Sequence, residues 1–219
     1  MSDLLRDAAE RSIAYLDSLP ERRVSPSADA IAALAALNVA LPDKPTDARA
    51  VLRELDEIGS PATMAMAGGR FFGFVIGGAL PATVAASWLA AAWDQNSGLH
   101  NSTPGTAVIE DVALRWLVAL LGLPAGTSGG FVTGTTVAHI TALAAARHVV
   151  LEKVGWNVEA DGLFGAPPVT IVAGAESHPT LYKALGVVGF GRKRVVHVPV
   201  DSQGRMRADA MPRIDGPTI

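Results

Sequence analysis

The stretch that most restricts the fold is Gly129–Arg147, GGFVTGTTVAHITALAAAR. A β-prone run, Phe131-Val132-Thr133, meets Gly134-Thr135-Thr136 and then a long Ala/Leu-rich helical segment. A strand that turns sharply into a helix leaves the helix's first backbone N–H groups without partners. Those groups and the helix dipole attract an anion, most often a phosphate. Gly134 lets the backbone approach closely, and two threonine hydroxyls add hydrogen-bonding capacity. Two readings stand side by side: a phosphate cradle, or an ordinary joint with Thr135 or Thr136 as N-cap. Two nucleotide motifs are absent. No Lys follows the glycine as a GxxxxGK[ST] loop requires, and Gly186, Gly189 and Gly191 follow a helix with the wrong spacing for GxGxxG.

From this stretch onward the pattern is βαβαβ. Strand 130–133 leads to helix 136–152, strand 169–173 to helix 179–188, and strand 195–199 follows. The strands are almost continuously apolar, which predicts a parallel sheet covered on both faces. Ligands of such sheets sit at the carboxyl ends of the strands. Gly134-Thr135-Thr136 and Ser177-His178 both fall on that edge. Three parallel strands are few for a chain with 49% hydrophobic residues. The expectation is therefore the N-terminal part of a longer protein, or one piece of a split one.

Upstream, the chain reads as helical. Ser2 is positioned to cap a first helix with an apolar stripe (Leu4, Leu5, Ala8, Ala9, Ile13, Leu16) that Pro20 ends. Ser25-Pro26 opens a second helix to about Asn38. Thr46-Asp47 opens a third, with Val51, Leu52, Leu55 and Ile58 expected inward, and Ser60-Pro61 a short fourth. The first helix packs either on its own domain or on a partner subunit. The segment Gly68–Val75, GGRFFGFV, is aromatic and punctuated by glycine, so it either packs in a core or lines a pocket. Pro81 opens a helix that fades at Asn96-Ser97-Gly98. Thr106 is expected to cap an amphipathic helix to Leu121, ended by Gly122-Leu123-Pro124. Residues 1–67 are read as an N-terminal helical packing segment and 68–219 as an α/β domain.

Composition removes several function classes. The net charge is −3, and Arg192-Lys193-Arg194 is the one tight basic cluster, so no nucleic-acid footprint is visible. The chain has no cysteine, which removes disulfides, thiolate nucleophiles and Cys-based zinc sites together and fits a cytoplasmic protein. Phe71–Trp93 is long enough to span a bilayer and carries no charge. Gly77-Gly78 and Pro81 split it, however, and alanine supplies its apolar mass, so no membrane span is expected. No metal constellation, GxSxG elbow or HExxH motif is present.

His178 is the candidate with chemistry. It ends a strand and precedes Pro179, which suits the first position of a helix. A helix N-terminus disfavours an imidazolium, so a neutral ring is expected there. It serves either as a helix cap or as a flat ring stacked on an aromatic cofactor.

Four motifs in order, RFFGFV, TPGTAVIEDVALRWLVALLGLP, GGFVTGTTVAHITALAAAR and ESHPTLYKALGVVGFG, resemble the pyridoxal-phosphate-dependent amino-acid decarboxylases of the aromatic-amino-acid, histidine and glutamate group. The resemblance runs from about Arg70 to the end. It implies part of the aspartate-aminotransferase-like (fold type I) large domain, working as a homodimer on an amino-acid substrate with pyridoxal 5'-phosphate. It implies that Thr133, Gly134, Thr135 and Thr136 form the phosphate-binding turn. It implies that His178 stacks on the pyridine ring as the catalytic imidazole, and that Phe72 and Phe74 lie near the substrate side chain. It brings the Thr103-Pro104 loop towards the partner's site, and His139 stands where the family carries Asn. The family's Schiff-base lysine and its pyridine-nitrogen aspartate match no residue here; Lys44, Lys153, Lys183 and Lys193 are all elsewhere. The expected activity is amino-acid decarboxylation by the full-length protein. The alternatives are another pyridoxal-phosphate lyase or aminotransferase-like reaction, or a non-catalytic fragment.

Overall fold

Residues 1–96 and 98–219 are described by the computed structural model. They form two compact units, Met1–Asn96 and Ser97–Ile219.

The first unit is built on α1 (Ser2–Ser18), α2 (Ala28–Ala33), α3 (Ala48–Glu54) and α4 (Pro81–Trp93). The helix starts follow short polar side chains, one or two residues from the expected places. Ser27 Oγ accepts from the Ala30 amide, and Asp47 Oδ1 accepts from Arg49 and Ala50. Ser2 lies inside α1, whose N-cap is Met1 and has no side-chain cap. Arg11 pairs with Asp7 within α1 and joins α1 to the turn after α3 through Asp56, both at 2.8 Å. Tyr15 Oη lies 2.9 Å from Thr63 Oγ1. Val51 and Leu55, expected inward, are exposed, and α3 runs into a π-helical turn at Leu55–Gly59. The FFGFV run forms no strand: Phe74 and Val75 have φ of 58° and 53°, the left-handed region. Helix α4 ends with Asp94 as its left-handed C-cap; of the fade expected at 96–98, Ser97 lies outside the described residues.

The second unit contains α5 (Pro104–Leu120), α6 (Thr135–Glu152), α7 (Val158–Asp161), β1 (Ile171–Gly174), α8 (Pro179–Val187) and β2 (Val195–Val198). Helix α5 begins one turn's breadth earlier than expected, with Thr103 as N-cap and Pro104 in the first turn, where its missing N–H costs nothing. Thr106 instead donates back to the Thr103 carbonyl at 3.1 Å. Strands β1 and β2 pair in parallel, Ile171 opposite Val195 and Gly174 opposite Val198. On the other side of β1, the Thr170 amide donates to Pro217 and the Ile219 amide to Thr170. The expected strand 130–133 is irregular: no ladder partner lies beside it among the described residues, and the Phe131 amide donates to Glu110.

The core packs α6 and α8 against this small sheet: Leu143, Ile171, Ala173, Ala184, Leu185, Val188 and Val195 are buried together. Strand β2 exposes Val196 and His197, so cover on both faces is confined to β1. Gly189 is required after α8. Its φ is +89°, and a Cβ there would meet Leu163 Cδ1 at 2.7 Å. Among the described residues, no helix is long and apolar enough to cross a membrane.

Candidate functional site

Two chain segments meet in the second unit. Helix α6 starts from Gly134, which has no side-chain cap, and no acidic residue lies in the first turn. The Ala138 amide reaches the Gly134 carbonyl at 3.0 Å. The amides of Thr135, Thr136 and Val137 and the hydroxyls of Thr135 and Thr136 have no partner among the described residues. Thr133, Gly134 and Thr135 are exposed and Thr136 is half-buried. A Cβ built on Gly134 would meet nothing within 4 Å. The start of an eighteen-residue helix thus faces open space with its donors unengaged. That is the donor set a phosphate takes: amides, hydroxyls and the positive end of the helix dipole.

The second segment is the turn after β1. The Ser177 amide donates to the Gly174 carbonyl at 3.0 Å, and this places His178 as N-cap of α8. Its Nδ1 accepts from the Thr180 amide at 3.3 Å and lies 2.9 Å from Thr180 Oγ1. Thr180 Oγ1 in turn lies 3.3 Å from Nδ1 of His139, on the second turn of α6. His178 is therefore a cap, as one of the two sequence readings held, but capping uses only Nδ1. The ring is exposed, and its faces and Nε2 have no partner among the described residues. The link through Thr180 and His139 ties this imidazole to the helix whose N-terminus holds the free amides. The turn and the ring both belong to the second unit, joined through the contact of Thr180 with His139 of α6.

Phe72 and Phe74 belong to the first unit and are 92% and 88% exposed. Neither is a core residue, and the left-handed backbone at Phe74 and Val75 is unfavourable by about 1–2 kcal/mol per residue. Strain of that kind collects at ligand loops.

Thr180 and the bridging position of His139 were not singled out by sequence. The signal was present in part: a hydroxyl two residues after a histidine at a helix start is a capping pair. No three His, Asp or Glu side chains among the described residues are placed to hold a metal ion.

Taken with its parallel sheet and flanking helices, the chain has part of the aspartate-aminotransferase-like (fold type I) large domain. It is similar to the structure of mouse CSAD, with a TM-score of 0.84 at 19% identity over 95% of this chain and 44% of that one. The pyridoxal-dependent decarboxylase conserved domain matches residues 32–214, and the chain belongs to that family. Tryptophan decarboxylase 1 of Oryza sativa subsp. japonica is 28% identical over 163 residues, covering 69% of this chain and 31% of the relative. Aromatic-L-amino-acid decarboxylase of Bacillus atrophaeus is 24% identical over 211 residues, covering 96% of this chain and 42% of the relative. The chain thus spans less than half the length of these curated relatives.

Proposed function

We propose that this chain contributes the phosphate seat and the ring-facing imidazole of a pyridoxal-phosphate-dependent amino-acid carboxy-lyase. The observation that carries the reading is the pairing of unengaged donors at the start of α6 with a His178 ring tied to the same helix. The amides of Thr135, Thr136 and Val137, with the hydroxyls of Thr135 and Thr136, would hold the phosphate. The open position at Gly134 and the exposed Thr133 let the phosphate reach them. His178 would face the pyridine ring, with Nε2 left free because capping uses Nδ1.

Pyridoxal phosphate, when bound, supplies an electron sink for the electron pair left as carbon dioxide departs. The chain's own work is positional. With the cofactor bound, the seat would hold its phosphate end and the imidazole would help to orient its ring. Phe72 and Phe74 offer apolar area to the substrate side chain. Residues 1–67 act as a packing and dimerisation segment, and the anchoring lysine and the pyridine-nitrogen aspartate come from outside residues 1–219. The named relatives decarboxylate tryptophan and aromatic amino acids, so those substrates head the panel.

The test is carbon dioxide release from aromatic, acidic and diamino acids by the full protein with pyridoxal phosphate, alongside cofactor titrations. Thr136→Val, which removes one hydrogen bond to a charged phosphate, weakens cofactor affinity by about 1.5–3 kcal/mol, roughly 10- to 150-fold. A protein that binds no pyridoxal phosphate, or a Thr136→Val variant that binds it as wild type does, overturns the assignment of the turn.

A further inference from the structure

We infer that Thr180 and His139 are positioning residues: together they form a one-directional hydrogen-bond relay that fixes which nitrogen of His178 carries its proton. This deepens the function proposed above and rests on it for its purpose, though not for its geometry.

The direction follows from donor counting. The Thr180 backbone N–H can only donate, and it points at His178 Nδ1 from 3.3 Å. That nitrogen therefore presents its lone pair, and the proton of the neutral ring is on Nε2. Thr180 Oγ1, 2.9 Å from the same lone pair, must then be the donor. A hydroxyl has one hydrogen, so its remaining contact, 3.3 Å to His139 Nδ1, must be one in which it accepts. His139 accordingly carries its proton on Nδ1. The chain reads His139 Nδ1–H to Thr180 Oγ1–H to His178 Nδ1, one proton per link, with none left over.

Helices α6 and α8 hold the relay's two ends, and the shared core of Leu143, Ala184 and Leu185 fixes their separation. Thr180 and His139 are half-buried, whereas His178 is exposed. The Thr180 amide sets the tautomer of the open ring, and the Thr180 hydroxyl reinforces it and carries the assignment on to His139. With Nδ1 occupied, the free edge of His178 is an Nε2–H donor, suited to an oxygen acceptor such as a substrate carboxylate. The opposite tautomer would turn a lone pair towards that oxygen.

The sharpest consequence concerns His139. A free imidazole side chain favours the Nε2–H form, whereas the relay holds His139 as Nδ1–H. Nitrogen-15 NMR of histidine-labelled full-length protein without cofactor reads both rings directly. The expected result is Nδ1–H at His139 and Nε2–H at His178. In Thr180→Val, His139 reverts to Nε2–H and turnover falls about fivefold, the worth of one neutral hydrogen bond, with KM unchanged. Thr180→Ser keeps the hydroxyl and restores both readouts. Wild-type His139 found as Nε2–H, or an Nδ1–H form that survives in Thr180→Val, overturns the relay. A protein that shows these tautomers yet binds no pyridoxal phosphate keeps the relay and sinks the proposed function instead.

Discussion

Gly134→Asp separates an anion seat from an ordinary helix joint, because the two readings predict opposite outcomes. Gly134 has φ 161° and ψ 170°, an extended backbone open to any residue. A Cβ there touches nothing within 4 Å. The substitution therefore brings neither strain nor overlap, and what remains is electrostatic. An aspartate at the N-cap accepts from the first-turn amides and adds a few tenths of a kcal/mol to helix stability over glycine. In the phosphate seat the same carboxylate takes the donors the ligand needs. It also stands about 4 Å from a phosphate of charge about −2, a repulsion of about 2 kcal/mol even in bulk water. Affinity then falls about 30-fold or more. Isothermal titration of the full protein with pyridoxamine phosphate, which forms no imine with lysine, isolates this contact. Unphosphorylated pyridoxamine is the control and binds the variant as it binds wild type. A raised or unchanged melting temperature with at least a 30-fold loss for the phosphorylated ligand alone is the expected pair of results. If the variant melts higher and binds both ligands unchanged, the turn is only a cap and the seat lies elsewhere.

Two further outcomes follow from the second unit. The His148 imidazole contacts Glu159 at 2.6 Å and Glu152 at 3.6 Å. The hydrogen bond to Glu159, more than charge attraction, raises His148 above its ordinary 6.5 and lowers Glu159 below its ordinary 4.5. A raised histidine gives stability that is full below 6.5 and lost as pH rises through its raised folded-state value; a lowered glutamate gives stability present above 4.5 and lost as pH falls through its lowered folded-state value. The clasp between α6 and α7 is thus strongest between 4.5 and 6.5. In melting curves against pH, Glu159→Gln flattens the wild-type decline above 6.5, and parallel curves would refute the clasp. Leu185 is 0% exposed at the centre of the α6–α8 core. Leu185→Ala therefore destabilises by about 2–5 kcal/mol in chemical denaturation, and a loss below 1 kcal/mol, the range of surface substitutions, would mean that this cluster is not the unit's core.

How far the fold was legible depended on whether a feature is local. The start of α6 is local: Gly134 and an Ala-rich run place it within one residue of expectation, at Thr135. Pro179 placed α8 just as closely, and continuous apolar runs marked β1 and β2. Caps chosen among several nearby hydroxyls slipped by a turn or less, as with Thr103 in place of Thr106. A strand is not local. Phe131-Val132-Thr133 has the composition of one, but a strand exists only where a neighbour offers a matching row of donors and acceptors. Among the described residues nothing does, so 130–133 stays irregular while Pro217 to Ile219 take the place beside β1.

The same distinction governs the site. Thr133 to Thr136 and His178 stood out as candidates in the sequence because the chemistry proposed for each depends on the turn that immediately contains it. The link from His178 through Thr180 to His139 did not. His139 and Thr180 are 41 residues apart, and only the packing of α6 on α8 brings their polar atoms to 3.3 Å. The sequence at His139 shows an irregularly spaced histidine on an apolar helix, with no sign of a partner. A tautomer is a still finer property, decided by which atoms near a ring can only donate. It became readable once the Thr180 amide, a group with no choice of role, was found aimed at Nδ1. The backbone at the start of α8 thus supplies the one fixed direction from which the other two protons of the relay are assigned.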